Sequence, residues 1–285
     1  MLHLLGNGLV TGCALGVVAI SFSLVYSTTK IFHVAHAGIY TLAGYLTWAL
    51  VTGGLPLIVS AIIAILLCTA LGALIQSQLY ARLARRRATE LVILIASLGA
   101  LAVIQNVIAA VFTPNILQFP RSLNAAIFPM GGLRLSYVQV MTIVISVLAY
   151  AATIWFAHYT ILGKRIRAVA SNPFLAEITR LRPGTVHVYV MAIASALVCL
   201  PGILVPMDLG LQPYNGITAL LTATIAMIAG GVGSITGAFV LAIAIAILQN
   251  LSLMLIPGEW SIGITFFIFV IFMLFRPRGL FAAAH

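Results

Sequence analysis

Acidic residues are almost missing: the 285-residue chain has four Asp and Glu against fourteen Lys and Arg, and only 6% of its residues are charged. A water-soluble domain carries about a quarter charged residues, so a soluble globule is excluded. The four acids, Glu90, Glu177, Asp208 and Glu259, fall at the edges of apolar tracts or in connections. No tract holds the central carboxylate through which a proton-driven carrier ordinarily moves its ion. The GxxxxGK[ST] phosphate cradle is also absent, because Gly163-Lys164 has no glycine-rich approach and is followed by Arg165. The chain is therefore expected to hydrolyse no nucleotide, to be no enzyme and to need no cofactor. Cys13, Cys68 and Cys199 lie in separate apolar tracts without paired spacing, which excludes a zinc or disulfide motif and reads them as small buried hydrophobes.

What is abundant is apolar length. Hydrophobic residues make up 63% of the chain, and the mean hydropathy is +1.20. Apolar runs at 9–28, 36–52, 55–79, 89–112, 135–157, 186–206, 214–230, 234–256 and 260–275 are mostly long enough to cross about 30 Å of hydrocarbon as helices. The expectation is an all-α polytopic membrane protein, a single domain over 1–285, with eight to nine transmembrane helices. Broken helices are possible near 53–56, at Gly53, Gly54 and Pro56, and near 230–237, where Gly230, Gly231 and Gly233 end a short run. The run opening at Leu9 has no basic segment and cleavage signal before it, so it reads as a retained first helix.

A net charge of +10 would suit nucleic acid, but its placement excludes that partner. The clusters Arg82/Arg85/Arg86/Arg87, Lys164/Arg165/Arg167/Arg180/Arg182 and Arg276/Arg278 all flank spans, as the positive-inside rule requires of cytoplasmic connections. Nine spans then place the N-terminus outside and the C-terminus in the cytoplasm, with the 113–134 connection outside.

Small residues recur at helical spacing, as in Gly8, Gly12 and Gly16, and let helices approach closely, within the chain or at a subunit interface. The amides Gln76, Gln78, Gln105, Asn106, Gln139, Gln249 and Asn250 lie within or beside spans, where each needs a hydrogen-bonding partner. Gln105-Asn106 and Gln249-Asn250 interrupt apolar runs and are candidates to line a path for a polar solute. His33 and His36 lack a third metal ligand nearby and read as helix-end hydrogen bonders or as residues of a mouth or gate.

One polar island, residues 158–184, stands among the apolar tracts. Gly163 reads as the exit of the preceding span, Lys164 to Ser171 as a short amphipathic helix, and Asn172-Pro173 as its break. Phe174, Leu175 and Ile178 add an apolar face beside Arg180 and Arg182. Such a segment docks into a groove on a partner or lies on anionic membrane lipids.

Four stretches in order, LVYSTTKIFHVAHAGIYTLAGY at 24–45, ILGKRIRAVASNP at 161–173, IAGGVGSITGAF at 228–239 and FRPRGLF at 275–281, resemble the LivH-like permease subunits of branched-chain amino acid ABC transporters. The resemblance covers essentially the whole chain. It implies a bacterial inner-membrane importer for branched-chain or other small amino acids, with a second homologous permease subunit, cytoplasmic ABC ATPases and an extracytoplasmic solute-binding protein. It also implies that the 158–184 connection is the ATPase-coupling loop, with Gly163, Lys164, Arg165, Arg167, Asn172 and Pro173 as its residues. His36, Tyr40, Gln105, Asn106, Gly230, Gly231, Gln249 and Asn250 are the candidates for the path or gate. Where relatives read NFAHGE or NFAHGD, this chain has Gly38 in place of the acid, and Phe174 follows Asn172-Pro173 where relatives have an acidic residue. On residue chemistry alone, an ion-coupled secondary carrier of a small polar solute remains the alternative.

Overall fold

The computed structural model describes residues 1–112, 115–120, 127–130, 133–254, 257–276 and 279–281. Among these, six helices are long and apolar enough to cross a membrane. They are α1 (Leu2–Thr29), the continuous helix Leu57–Arg85, α5 (Glu90–Phe112), α6 (Tyr137–Tyr159), α9 (Pro183–Leu209) and α11 (Ile235–Ser252). The helix Leu57–Arg85 consists of α3 (Leu57–Leu74), a π-helical turn Ile75–Tyr80 and α4 (Ala81–Arg85). Of the eight to nine transmembrane helices expected from sequence, six have this length among the described residues. Helices α2 (His36–Thr52), α10 (Asn215–Gly230) and α12 (Ser261–Phe275) have 17, 16 and 15 residues, or about 22–26 Å of rise against roughly 30 Å of hydrocarbon. The fold is all-α and polytopic, as the sequence implies, apart from one short ribbon between helices. Strands β1 (Ile127–Met130) and β2 (Leu133–Ser136) form an antiparallel ribbon in the 113–134 connection, with Ile127 opposite Ser136.

Helix α1 is apolar on all sides and is the axis of the bundle, buried almost continuously from Gly12 to Val25. Gly8, Gly12 and Gly16 serve packing within the chain. A Cβ on Gly8 would stand 2.8 Å from Ile247 Cα, and one on Gly12 would stand 2.6 Å from Ile243 Cα. Helix α11 therefore runs antiparallel to α1 at a distance that only glycine allows.

Both suspected helix breaks are tight turns between antiparallel helices. At 53–56 the Leu55 amide donates to the Leu50 carbonyl at 3.1 Å, and α3 returns along α2 so that Cys68 Sγ lies 4.0 Å from the Ile39 carbonyl. At 230–237 Gly231 and Gly233 have φ of +103° and +88°, a region that side chains with a Cβ avoid. Ser234 then caps α11 by accepting from the Gly237 amide at 3.0 Å. The chain's last described segment docks on this turn: the Leu280 and Phe281 amides donate to the Ala229 and Gly230 carbonyls at 2.9 and 3.1 Å. Those are end carbonyls of α10, which have no donor within their own helix.

The two ends of the bundle differ. Arg85 and Arg182 border one cavity, Lys30 and Arg167 border another, and Gly233 approaches Ser27, so the basic segments share one end. The β ribbon and the Leu117–Leu211 bridge occupy the other.

Candidate translocation path and coupling surface

At the end away from the basic clusters, two cavities of about 290 and 270 Å³ adjoin, sharing Thr11, Val205 and Leu209 in their walls. The first is walled by Ala14, Leu15, Val18, Pro201, Val205 and Pro206, with Thr11, Tyr40, Asn215, Thr218, Thr222 and Gln249 as its polar side chains. Pro201 and Pro206 stand inside α9; neither has an amide hydrogen, so the carbonyls of Leu197 and Gly202 lose their helical donors. The second cavity has the more polar wall of the two, with Asn7, Gln139, Thr142, Asp208 and Asn250 in it. Asp208 accepts from Gln139 Nε2 at 2.9 Å and from Ser136 Oγ at 3.2 Å. Ser136 and Gln139 in turn form the reciprocal cap that starts α6, so the carboxylate is held by a rigid helix end.

Of the sequence-predicted path residues, Tyr40 and Gln249 meet in the first cavity and Asn250 borders the second. Gln249 Nε2 donates to Thr265 Oγ1, and Asn250 Nδ2 donates to the Ala246 carbonyl at 2.9 Å. Gln105 and Asn106 border neither cavity. Gln105 is 4% exposed, and its Nε2 has no partner among the described residues. Asn106 lies on the exposed face of α5 and donates to the Ala102 carbonyl. Gly230 and Gly231 shape the α10–α11 turn. His36 belongs to a buried latch: it pairs with Ser21 Oγ at 2.8 Å, and His33 Nδ1 pairs with Tyr80 Oη at 2.7 Å. Tyr80 donates to Ser97 Oγ at 2.8 Å, and Ser97 accepts from the Ala35 amide at 3.0 Å. The latch ties the α1–α2 connection to the π-helical turn and to α5.

The polar island folds as α7 (Ile161–Ser171) and α8 (Pro173–Ile178). Thr160 caps α7 by accepting from the Gly163 amide, and Asn172 caps α8 by accepting from the Leu175 amide, with Pro173 as the first helical residue. Gly163 is therefore not the exit of the preceding span. That exit is Thr160, and Gly163 sits inside α7, where a Cβ would stand 2.8 Å from Ala157 Cα and closer still to the Phe156 carbonyl oxygen. Gly163, Ile166 and Val169 face the bundle, Lys164 and Arg165 face outward, and Arg167 is exposed at the rim of the cavity that Lys30 also borders. Phe174, Leu175 and Ile178 are 69, 57 and 65% exposed, an apolar patch beside the basic face.

Residues 4–273 match the family described as branched-chain amino acid transport system / permease component. The chain belongs to this family. The permease is 24% identical over 289 residues to the high-affinity branched-chain amino acid transport system permease protein LivH of Escherichia coli (strain K12), covering 96% of this chain and 93% of that protein. It is also 24% identical over 293 residues to the corresponding protein BraD of Pseudomonas aeruginosa, covering 98% and 95%. A solved structure, PsaBC from Streptococcus pneumoniae in complex with Fab, shares the fold with a TM-score of 0.52 at 16% identity, covering 97% of this chain and 93% of that one. The permease is a multi-pass protein of the bacterial inner membrane and a non-catalytic subunit of an ABC importer, which sets aside the ion-coupled alternative.

Residue-by-residue reading of the permease missed Asp208, Asn7 and the threonines of the first cavity. Asp208 carried a signal, as one of four acids in the chain. Its partner Gln139 is 69 residues away, a distance over which no local pattern extends.

Proposed function

We propose that the permease imports branched-chain amino acids, within a wider class of small amino acids, through the two adjoining cavities, driven by partner ATPases seated on α7 and α8. The observation that carries this reading is the pairing of an apolar compartment with one that holds a carboxylate. An aliphatic side chain fits among Leu15, Val18, Val205 and Pro206, and the solute's ammonium meets Asp208 next door. The substrate named for LivH and BraD has both parts.

The basic end is cytoplasmic by the positive-inside rule. Counting α2, α10 and α12 as membrane passages brings the total to nine, with the N-terminus outside and the C-terminal segment inside. The chain is one domain over 1–285, and 158–184 is its coupling loop. A second homologous permease subunit completes the pore, cytoplasmic ABC ATPases close it, an extracytoplasmic solute-binding protein delivers the cargo, and membrane lipids surround the outward faces. Gly163, Lys164, Arg165, Arg167, Asn172 and Pro173 shape the ATPase contact. Tyr40, Gln249 and Asn250 line the path, while Gly230 and Gly231 hold the turn on which its helices move.

The test is competitive uptake by the complete reconstituted complex with its binding protein, offered leucine, isoleucine, valine, polar amino acids, short amides and urea. Saturable uptake of the branched trio supports the reading. Transport of another compound with no competition from any of the three rejects the substrate and leaves the permease assignment standing.

A further inference from the structure

A third cavity, of about 790 Å³, lies at the basic end between the C-terminal part of α1, the α6–α7 corner and the turn that opens α11. Lys30, His158 and Arg167 border it, and among the described residues no acid does. Lys30 also borders a neighbouring cavity that contains Glu90, but that acid is not in the wall of the larger one. Two further observations point to an anion. The cap Ser234 and the first two residues of the 18-residue helix α11, Ile235 and Thr236, form one wall, and a helix N-terminus presents free amides and the positive end of its dipole. Ser23, also in the wall, is 1% exposed, and its hydroxyl has no partner among the described residues, although a buried polar group ordinarily has one.

We infer that this cavity binds a phosphate group. The Arg167 guanidinium suits two phosphate oxygens at once and Lys30 supplies a compact charge, while the Ile235 and Thr236 amides at the start of α11 and the Ser23 hydroxyl add neutral donors. The remaining wall, from Leu24, Ile154 and Phe156, is apolar and suits the glycerol and upper chains of an anionic phospholipid. Free phosphate reaches the same groups from solution. This site is separate from the path cavities and does not depend on which solute is carried.

The chain has two lysines, Lys30 and Lys164, and Lys164, on the exposed face of α7 and outside the cavity wall, serves as an internal reference. The purified full chain is treated with an amine-acylating reagent and the two rates are read by peptide mass spectrometry. One arm adds inorganic phosphate at matched ionic strength, and the other compares bilayer discs of phosphatidylglycerol with discs of phosphatidylcholine. Acylation of Lys30 relative to Lys164 is expected to slow about tenfold, the scale of one charge-assisted contact. Protection by phosphate assigns the site to free phosphate, and protection by phosphatidylglycerol assigns it to lipid. Arg167→Gln removes the protection, Arg167→Lys keeps part of it, and Arg86→Gln, outside the cavity, keeps all of it. Equal rates in every arm, or full protection in Arg167→Gln, overturn the proposal. Slowing only when the ATPases are added, with neither anion effective, gives the cavity to an acidic protein surface and also overturns it.

Discussion

Replacing Gly163 with Ala tests how the coupling loop is seated. The added Cβ would stand 2.8 Å from both Ala157 Cα and the Ala157 carbonyl oxygen, and closer still to the Phe156 carbonyl oxygen. These are backbone atoms of α6 and cannot rotate away. Carbon contacts settle near 3.5–4.0 Å, so α7 must move off α6 by about 1 Å. Overpacking of this kind costs about 1–3 kcal/mol, and with three backbone contacts the upper part of that range applies. Alanine returns up to about 1 kcal/mol of helix propensity, which leaves about 1.4–2 kcal/mol against the seated loop. That corresponds to roughly ten- to thirty-fold weaker binding of the ATPases. The matched control is Gly184→Ala, in the same loop region, where a Cβ would meet nothing within 4 Å. ATPase binding is titrated by pull-down at equal membrane abundance, together with ATP-driven uptake by the complete complex. Gly184→Ala is expected to behave as the parent does. If Gly163→Ala binds and transports like Gly184→Ala, the steric argument is wrong.

Asp208→Asn keeps the shape of the side chain and loses its charge. Uptake of leucine should fall about tenfold or more, while competition by an uncharged leucine analogue is unchanged; equal losses for both would point to structural damage at the Ser136–Gln139 cap instead. Gly12→Ala forces α11 back from Ile243 Cα, and its melting temperature should fall by about 2–12 °C for 1–3 kcal/mol. Gly99→Ala, with nothing within 4 Å of its Cβ, should not melt lower, and equal melting of the two variants would refute the packing account. Leu280→Pro removes the amide that donates to Ala229 and should cost about 0.5–1.5 kcal/mol in thermal or denaturant unfolding; parental stability would show that the C-terminal segment does not brace α10. Reversing Arg165 and Arg167 to Glu together should weaken ATPase binding, with less salt dependence than in the parent. Unchanged binding and transport would make lipid the partner of that face.

The sequence was sufficient wherever the deciding force acts along a short stretch of chain. Apolar length alone put helices at most of the runs. Local caps broke the polar island where Asn172 and Pro173 stand, and the spacing of Gly8, Gly12 and Gly16 marked a face for close approach. It could not say what that face would meet, which was α11, more than 220 residues further along the chain. Nor could it orient the amides. Gln105 and Asn106 are neighbours in sequence but point about 100° apart on a helix, and only the packing of α5 made one buried and the other outward. A π-helical turn changes the facing of everything beyond it, and so Tyr80 reaches His33 through a rotation that composition does not encode. The Asp208 cap and the seating of Leu280 on the end of α10 likewise depend on partners distant in sequence. In a membrane the solvent makes a helix from almost any long apolar run, because each run satisfies its own backbone hydrogen bonds. Helix identity is therefore written locally, while register, facing and the cavities between helices are decided only when the surfaces meet.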